Sequence, residues 1–109
     1  MSKVIIKETD SQVVEWAKRM LNGGYNANYT KLTVYNDGVW DLTLEVTPNK
    51  TLRWIAERED RAGNFNSSFI TVYESNGKIL YTAGFKIRKD LVQKVCRIYK
   101  LYKQTMHFV

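Results

Sequence analysis

Residues 30–59 read TKLTVYNDGVWDLTLEVTPNKTLRWIAERE, three runs with alternating apolar residues joined by two turn signals, and the register of those turns decides the fold. Strands present every second side chain to one face, so a one-residue slip inverts a whole strand. At Asn36-Asp37-Gly38, a two-residue Asp-Gly loop would set Val34 opposite Asp41 and divide the apolar residues between two faces. A three-residue loop with Gly38 in the left-handed region pairs Val34 with Trp40 and Leu32 with Leu42, all on one face. At Pro48-Asn49-Lys50, a three-residue loop pairs Val46 with Leu52 and Leu44 with Trp54, again on that face. Pro48 sits where a missing N–H costs little.

Downstream, Asp60 to Ser67 (DRAGNFNS) reads as an irregular stretch. Phe69 to Glu74 and Lys78 to Lys86 then flank Asn76-Gly77, a strong two-residue hairpin signal that pairs Val72 with Tyr81 and Ile70 with Ala83. A helix from about Arg88 to Met106 closes the chain, with Leu91, Val92, Val95, Ile98, Tyr99, Tyr102 and Met106 on one stripe. Upstream, Thr9 and Gln12 have the spacing of a capping box. Val13, Trp16, Ala17, Met20 and Leu21 recur at helical spacing, and Asn22-Gly23-Gly24 ends the helix. Lys3 to Lys7 is a short β-prone run that offers an edge strand.

The expected fold is therefore one α+β domain over residues 1–109. An N-terminal helix, a five-stranded antiparallel meander sheet and a basic amphipathic C-terminal helix follow in order, with both helices packed on one sheet face. The other face is expected to be mixed, carrying Lys31, Tyr35, Asp41, Glu45, Arg53, Ile55, Glu57, Phe69, Tyr73 and Leu80. Edge strands Thr30–Tyr35 and Phe69–Glu74, or their neighbours, would allow a homodimer.

The hydrophobic content of 44% supports a real core in 109 residues and argues against disorder. Cys96 is the one cysteine, so no intrachain disulfide can form. With no apolar run of signal-peptide or membrane-spanning length, the expected location is cytoplasmic and no membrane partner is expected.

Charge gives the functional lead. From Lys78 onward there are eight basic side chains and one acid, Asp90, whereas residues 1–77 hold nine basic and ten acidic groups. The formal net charge of +6 thus belongs to the last third. Lys86, Arg88, Lys89, Lys94, Arg97, Lys100 and Lys103 are the candidate contacts to nucleic acid, DNA or RNA, each neutralised phosphate releasing counterions. The alternative is a protein-interaction inhibitor or adaptor, of the kind phage and mobile elements use as regulators. It would dock the same helix on an acidic protein surface, such as a nucleic-acid-handling enzyme. Tyr35, Arg53, Phe69 and Tyr73 form a secondary surface. The carboxylates beside them argue for ordinary cross-strand pairing or a protein partner over stacked bases.

No catalytic residues are expected. His107, the single histidine, stands two residues from the end, where an oriented partner is rare. Nothing predicts a reactive thiolate at Cys96 beyond the nearby Arg97 and Lys100. The glycines form no phosphate-cradling pattern. One Cys and one His exclude a structural zinc site, and Glu57-Arg58-Glu59-Asp60-Arg61 reads as surface ion pairs before it reads as a metal site. No cofactor is implied. The helix–strands–helix order, with Lys86, Arg88 and Lys89 near the start of the last helix, resembles the double-stranded-RNA-binding domain. That family has three strands where this chain reads as five, and the likeness is one of element order, which carries no function by itself.

Overall fold

A computed structural model of the chain describes residues 5–106. Two helices pack on one face of a six-stranded antiparallel sheet whose strands follow chain order. The strands are β1 (Ile6–Lys7), β2 (Lys31–Asn36), β3 (Trp40–Val46), β4 (Leu52–Glu59), β5 (Phe65–Ser75) and β6 (Lys78–Ala83). The helices are α1 (Asp10–Arg19) and α2 (Lys89–Met106). The sixth strand is β1, a two-residue edge that pairs Ile6 with Asn36 and Lys7 with Tyr35. Lys3, Val4 and His107 lie outside the described residues, as does the side chain of Met106.

The capping box forms as its spacing requires. Gln12 N–H donates to Thr9 Oγ1 at 3.1 Å and Thr9 N–H donates to Gln12 Oε1 at 2.9 Å. The first helix ends through a π-type turn, Met20–Gly24, in which Gly23 takes φ +93°. Val13, Val14 and Ala17 of α1 and Met20 of the turn after it are buried, and Leu91, Val92, Val95 and Ile98 of α2 close over the same core. From the sheet come Val34, Leu42, Leu44, Trp54, Ala56 and Ile70.

Two hairpins hold the expected registers. The β3–β4 ladder pairs Val46 with Leu52 and Leu44 with Trp54. The β5–β6 ladder pairs Val72 with Tyr81 and Ile70 with Ala83. Asn76 (φ 52°) and Gly77 (φ 76°) are both left-handed, as a two-residue turn matched to strand twist demands.

The first hairpin differs. Its turn closes on Gly38-Val39, Asp37 N–H donating to the Trp40 carbonyl at 3.2 Å, and Asn36 pairs with Asp41. The Asp37 carboxylate drives this tighter closure by accepting the Val39 and Trp40 N–H groups at 2.9 and 2.7 Å. A β-bulge then sets Val34 and Tyr35 together against Leu42, after which Leu32 pairs with Leu44 rather than with Leu42. The slip is even beyond the bulge, so Leu32 stays on the apolar face. At the bulge itself parity breaks, and Tyr35 packs against the core instead of standing on the open face.

One further expectation is corrected. The irregular stretch ends at Asn64, because the Asp60 carboxylate accepts the Ala62 and Asn64 N–H groups, both at 2.9 Å, and folds five residues into a closed turn. Phe65 to Ser68 therefore belong to β5, with Phe65 opposite Glu59 and Ser67 opposite Glu57. The stretch Phe69–Glu74 belongs to the longer β5, between β4 and β6 in the strand order. It is open in part: among the described residues Phe69 has no β6 partner and Thr71–Glu74 have no β4 partner. The outer strands are β1 and β6, but β1 pairs only with Tyr35 and Asn36, so among the described residues Lys31–Thr33 of β2 also keep one side without a strand partner.

Candidate binding surfaces

The basic helix comes first. Lys94 points into the molecule: it is 6% exposed, and its ammonium group donates to the Glu8 carbonyl at 2.6 Å and to Asp10 at 3.1 Å. Arg97 meets the other Asp10 oxygen at 3.0 Å. Burial pushes the Asp10 carboxyl up, but hydrogen bonds from Arg97 and Lys94 outweigh it and hold the group below the ordinary carboxylate range. One carboxylate at the start of α1 thus clamps two cations of α2.

Arg88 is engaged just before α2. It bridges Asp37 at 3.0 Å and Asp90 at 2.6 Å, and its guanidinium lies 5.0 Å from the centre of the Tyr35 ring. Tyr35 OH also donates to Asp37 at 3.0 Å. The bulge is what brings Tyr35 to Arg88. Asp37 is held far below its usual range: burial would raise it, and the N–H groups of Trp40 and Val39, then Arg88 and Tyr35, reverse that. Lys103 pairs with Glu74 at 3.0 Å and lies over the Tyr99 ring.

Four of the seven candidate cations are therefore bound within the fold. Lys86, Lys89 and Lys100 are exposed, and none joins an ion pair among the described residues. Lys89 and Lys100 are eleven residues apart on one helix side, a rise of about 16 Å. Cys96 is half-buried, and burial raises its thiol pKa, which makes it less of a nucleophile.

The open sheet face is the second surface. Phe65, Phe69 and Tyr73 project from every fourth position of β5, on one face, and are 69%, 56% and 41% exposed. Leu80, opposite Tyr73, is 39% exposed. Spacing of four residues sets successive rings about 13 Å apart along the strand. The Arg53 guanidinium lies 5.0 Å from the Phe69 ring centre and 3.5 Å from Glu45. Ile55, opposite Phe69 on this face, is only 9% exposed, so it is covered by its neighbours and adds little to the patch. Asp41, Glu57 and Glu59 stand beside the aromatic row on β3 and β4. Asp41 is held by Asn36 at 2.9 Å and Thr43 at 2.8 Å. Among the described residues no three His, Cys, Asp or Glu groups gather as a metal site. No described helix is long and apolar enough to cross a membrane.

Of the secondary surface, the structure sets Arg53 against Phe69, keeps Tyr73 on the same strand four residues beyond, and removes Tyr35. Phe65 is the residue that reading the sequence missed. A signal existed: Phe65, Phe69 and Tyr73 share strand parity, and Asp60 with Gly63 supplies a closed turn just before them.

The third surface is a crevice of about 510 Å³ at the junction of β4 and β5. The β4–β5 ladder stops at Trp54–Ile70, although β4 begins at Leu52 and β5 runs to Ser75. The lining draws on both sheet faces, Trp54 and Ile70 from the helix side and Arg53 and Phe69 from the open side. Comparison with family models, with curated proteins and with solved structures returned no match to this chain.

Proposed function

We propose that this chain is a small non-enzymatic binding protein that engages another protein through its uncovered sheet face. The observation that supports this reading is the row Phe65, Phe69 and Tyr73, with Leu80 beside it, exposed on a strand with carboxylates next to it. Three large apolar side chains in one row, with a fourth beside them, exceed the scattered exposure normal for a surface and mark a contact patch. The carboxylates Asp41, Glu57 and Glu59 favour a partner whose apolar surface has a cationic rim, and they oppose a phosphate chain on this face.

Affinity capture from a nuclease-treated lysate tests this, comparing the wild type with Phe65→Ser/Phe69→Ser. A partner captured by the wild type, lost by the double variant and retained by Lys86→Glu/Lys89→Glu/Lys100→Glu is the expected result. Capture that disappears on nuclease treatment, or that ignores the two phenylalanines, overturns the reading.

A second reading keeps the basic helix on nucleic acid. It is favoured by the net charge of +6 and by Lys86, Lys89 and Lys100, which no described carboxylate neutralises. Anisotropy titration of labelled DNA and RNA at several salt concentrations separates the two readings, because phosphate contacts give a steep fall of affinity with salt.

A further inference from the structure

Neither the aromatic row nor the basic helix accounts for the crevice between β4 and β5. Its volume of about 510 Å³ falls in the range of small-molecule sites, roughly 300–1,000 Å³. Its deep end lies between the sheet and both helices, where Val14, Ala17, Leu44, Ile70 and Ile98 are buried. Those five side chains offer no hydrogen-bond partner; Trp54 adds an indole N–H, and Thr51, Thr71, Tyr99 and Tyr102 add hydroxyl groups elsewhere in the lining. A hydrocarbon chain matches the apolar side chains of the deep end, and a peptide strand, which would pair with the backbone left open where the β4–β5 ladder stops, is the competing occupant.

The lip is different. Lys50 and Arg53 are the charged residues in the lining, and no carboxylate lines it. Arg53 already meets Glu45. Lys50 has no ion pair among the described residues and is held at φ 61°, a left-handed conformation in which a lysine is strained and a glycine is not. The three-residue turn sets that φ, and a cation with no ion pair at the mouth of an apolar crevice that no carboxylate lines suits an anionic head group.

We propose that the crevice binds a free long-chain carboxylate, with its hydrocarbon chain in the deep end and its carboxylate at the lip beside Lys50. Titration with dodecanoate below its micelle concentration tests this, by calorimetry and by amide shifts of the full chain. Saturable one-site binding is expected, with shifts at Thr71, Val72, Ile98 and Tyr99. Each methylene removed, toward decanoate and octanoate, weakens binding about fourfold. Lys50→Gly keeps the fold and weakens dodecanoate binding about threefold. Dodecylammonium, with the same chain and opposite charge, binds more weakly than dodecanoate. Val72→Trp fills the crevice and abolishes binding, and Phe65→Ser, outside it, leaves the affinity unchanged.

Four results overturn the proposal. They are the absence of saturable binding, an affinity independent of chain length, shifts confined to Phe65 and Tyr73, or crevice shifts produced only by another occupant. The last is checked with the peptide acetyl-Thr-Val-Thr-Val-amide and, for a second copy of the chain, with protein dilution.

Discussion

Lys94 Nζ lies 3.1 Å from the Asp10 carboxylate and 2.6 Å from the Glu8 carbonyl, so a buried cation of the last helix is tied to the entry of the first. A charge this deep persists only when paired and hydrogen-bonded. Asp10→Asn leaves it half-satisfied. Asp10 is 28% exposed, so the loss falls below the roughly 3–5 kcal/mol of a fully buried pair, at about 2 kcal/mol. Lys94→Met, which removes the charge and keeps the volume, costs less than Asp10→Asn. Urea denaturation of both variants checks the order.

Stability should fall in acid. Asp10 and Asp37 both have folded-state values below their unfolded ones. Their contribution is complete above the unfolded value, near 3.9, and is lost as pH falls through the folded values. Thermal midpoints should be level from about pH 7 to pH 5 and drop below about pH 4. Asp10→Asn should flatten part of that drop. At the alkaline end, burial raises Cys96 and Tyr102, so the native state holds their protons longer and stability declines above about pH 9.

The cations of α2 divide into two classes with separate outcomes. If nucleic acid binds, Lys86→Glu/Lys89→Glu/Lys100→Glu should abolish it, and neutral substitutions there should lower the salt slope by about 3. Lys94→Gln should leave the slope unchanged, because its ammonium group is buried. Anisotropy across salt concentrations measures both.

On the open face, neighbouring residues should respond in opposite ways. Phe69→Ser and Tyr73→Ser alter exposed side chains and should change stability by no more than about 0.5 kcal/mol. Ile55→Ala, opposite Phe69 in the ladder but buried, should cost about 2 kcal/mol or more. Thermal unfolding of the three variants distinguishes contact surface from core.

Two left-handed turn residues give a further pair. Lys50→Gly relieves strain and should stabilise by about 0.5–1 kcal/mol after the entropy of glycine in the unfolded chain is counted. Gly77→Ala has open space around it but φ 76°, and should destabilise by about 1 kcal/mol through the backbone alone.

The meander was legible wherever a turn signal and apolar parity agreed. Asn76-Gly77 and Pro48-Asn49-Lys50 each had one register that kept the apolar residues together, and both formed. Asn36 to Gly38 misled because the competing term is polar. Asp37 accepts two backbone N–H groups and closes the turn differently, and a bulge then repairs the parity. Phe65 was hidden because Asn66, Ser67 and Ser68 give no apolar alternation, although they pair with Arg58, Glu57 and Ala56.

By itself the sequence determined the α+β class, the helix limits, the capping box, the apolar face and the concentration of positive charge in the last third. These follow from local propensity and from periodicity, which neighbouring residues carry. The tertiary structure decided which charges face solvent. Arg88, Lys94, Arg97 and Lys103 find Asp37, Asp10 and Glu74, carboxylates remote in sequence. It also decided the crevice, which exists because two strands part beyond Trp54 and Ile70. Both depend on distances between elements, and residue order along one element does not encode those distances.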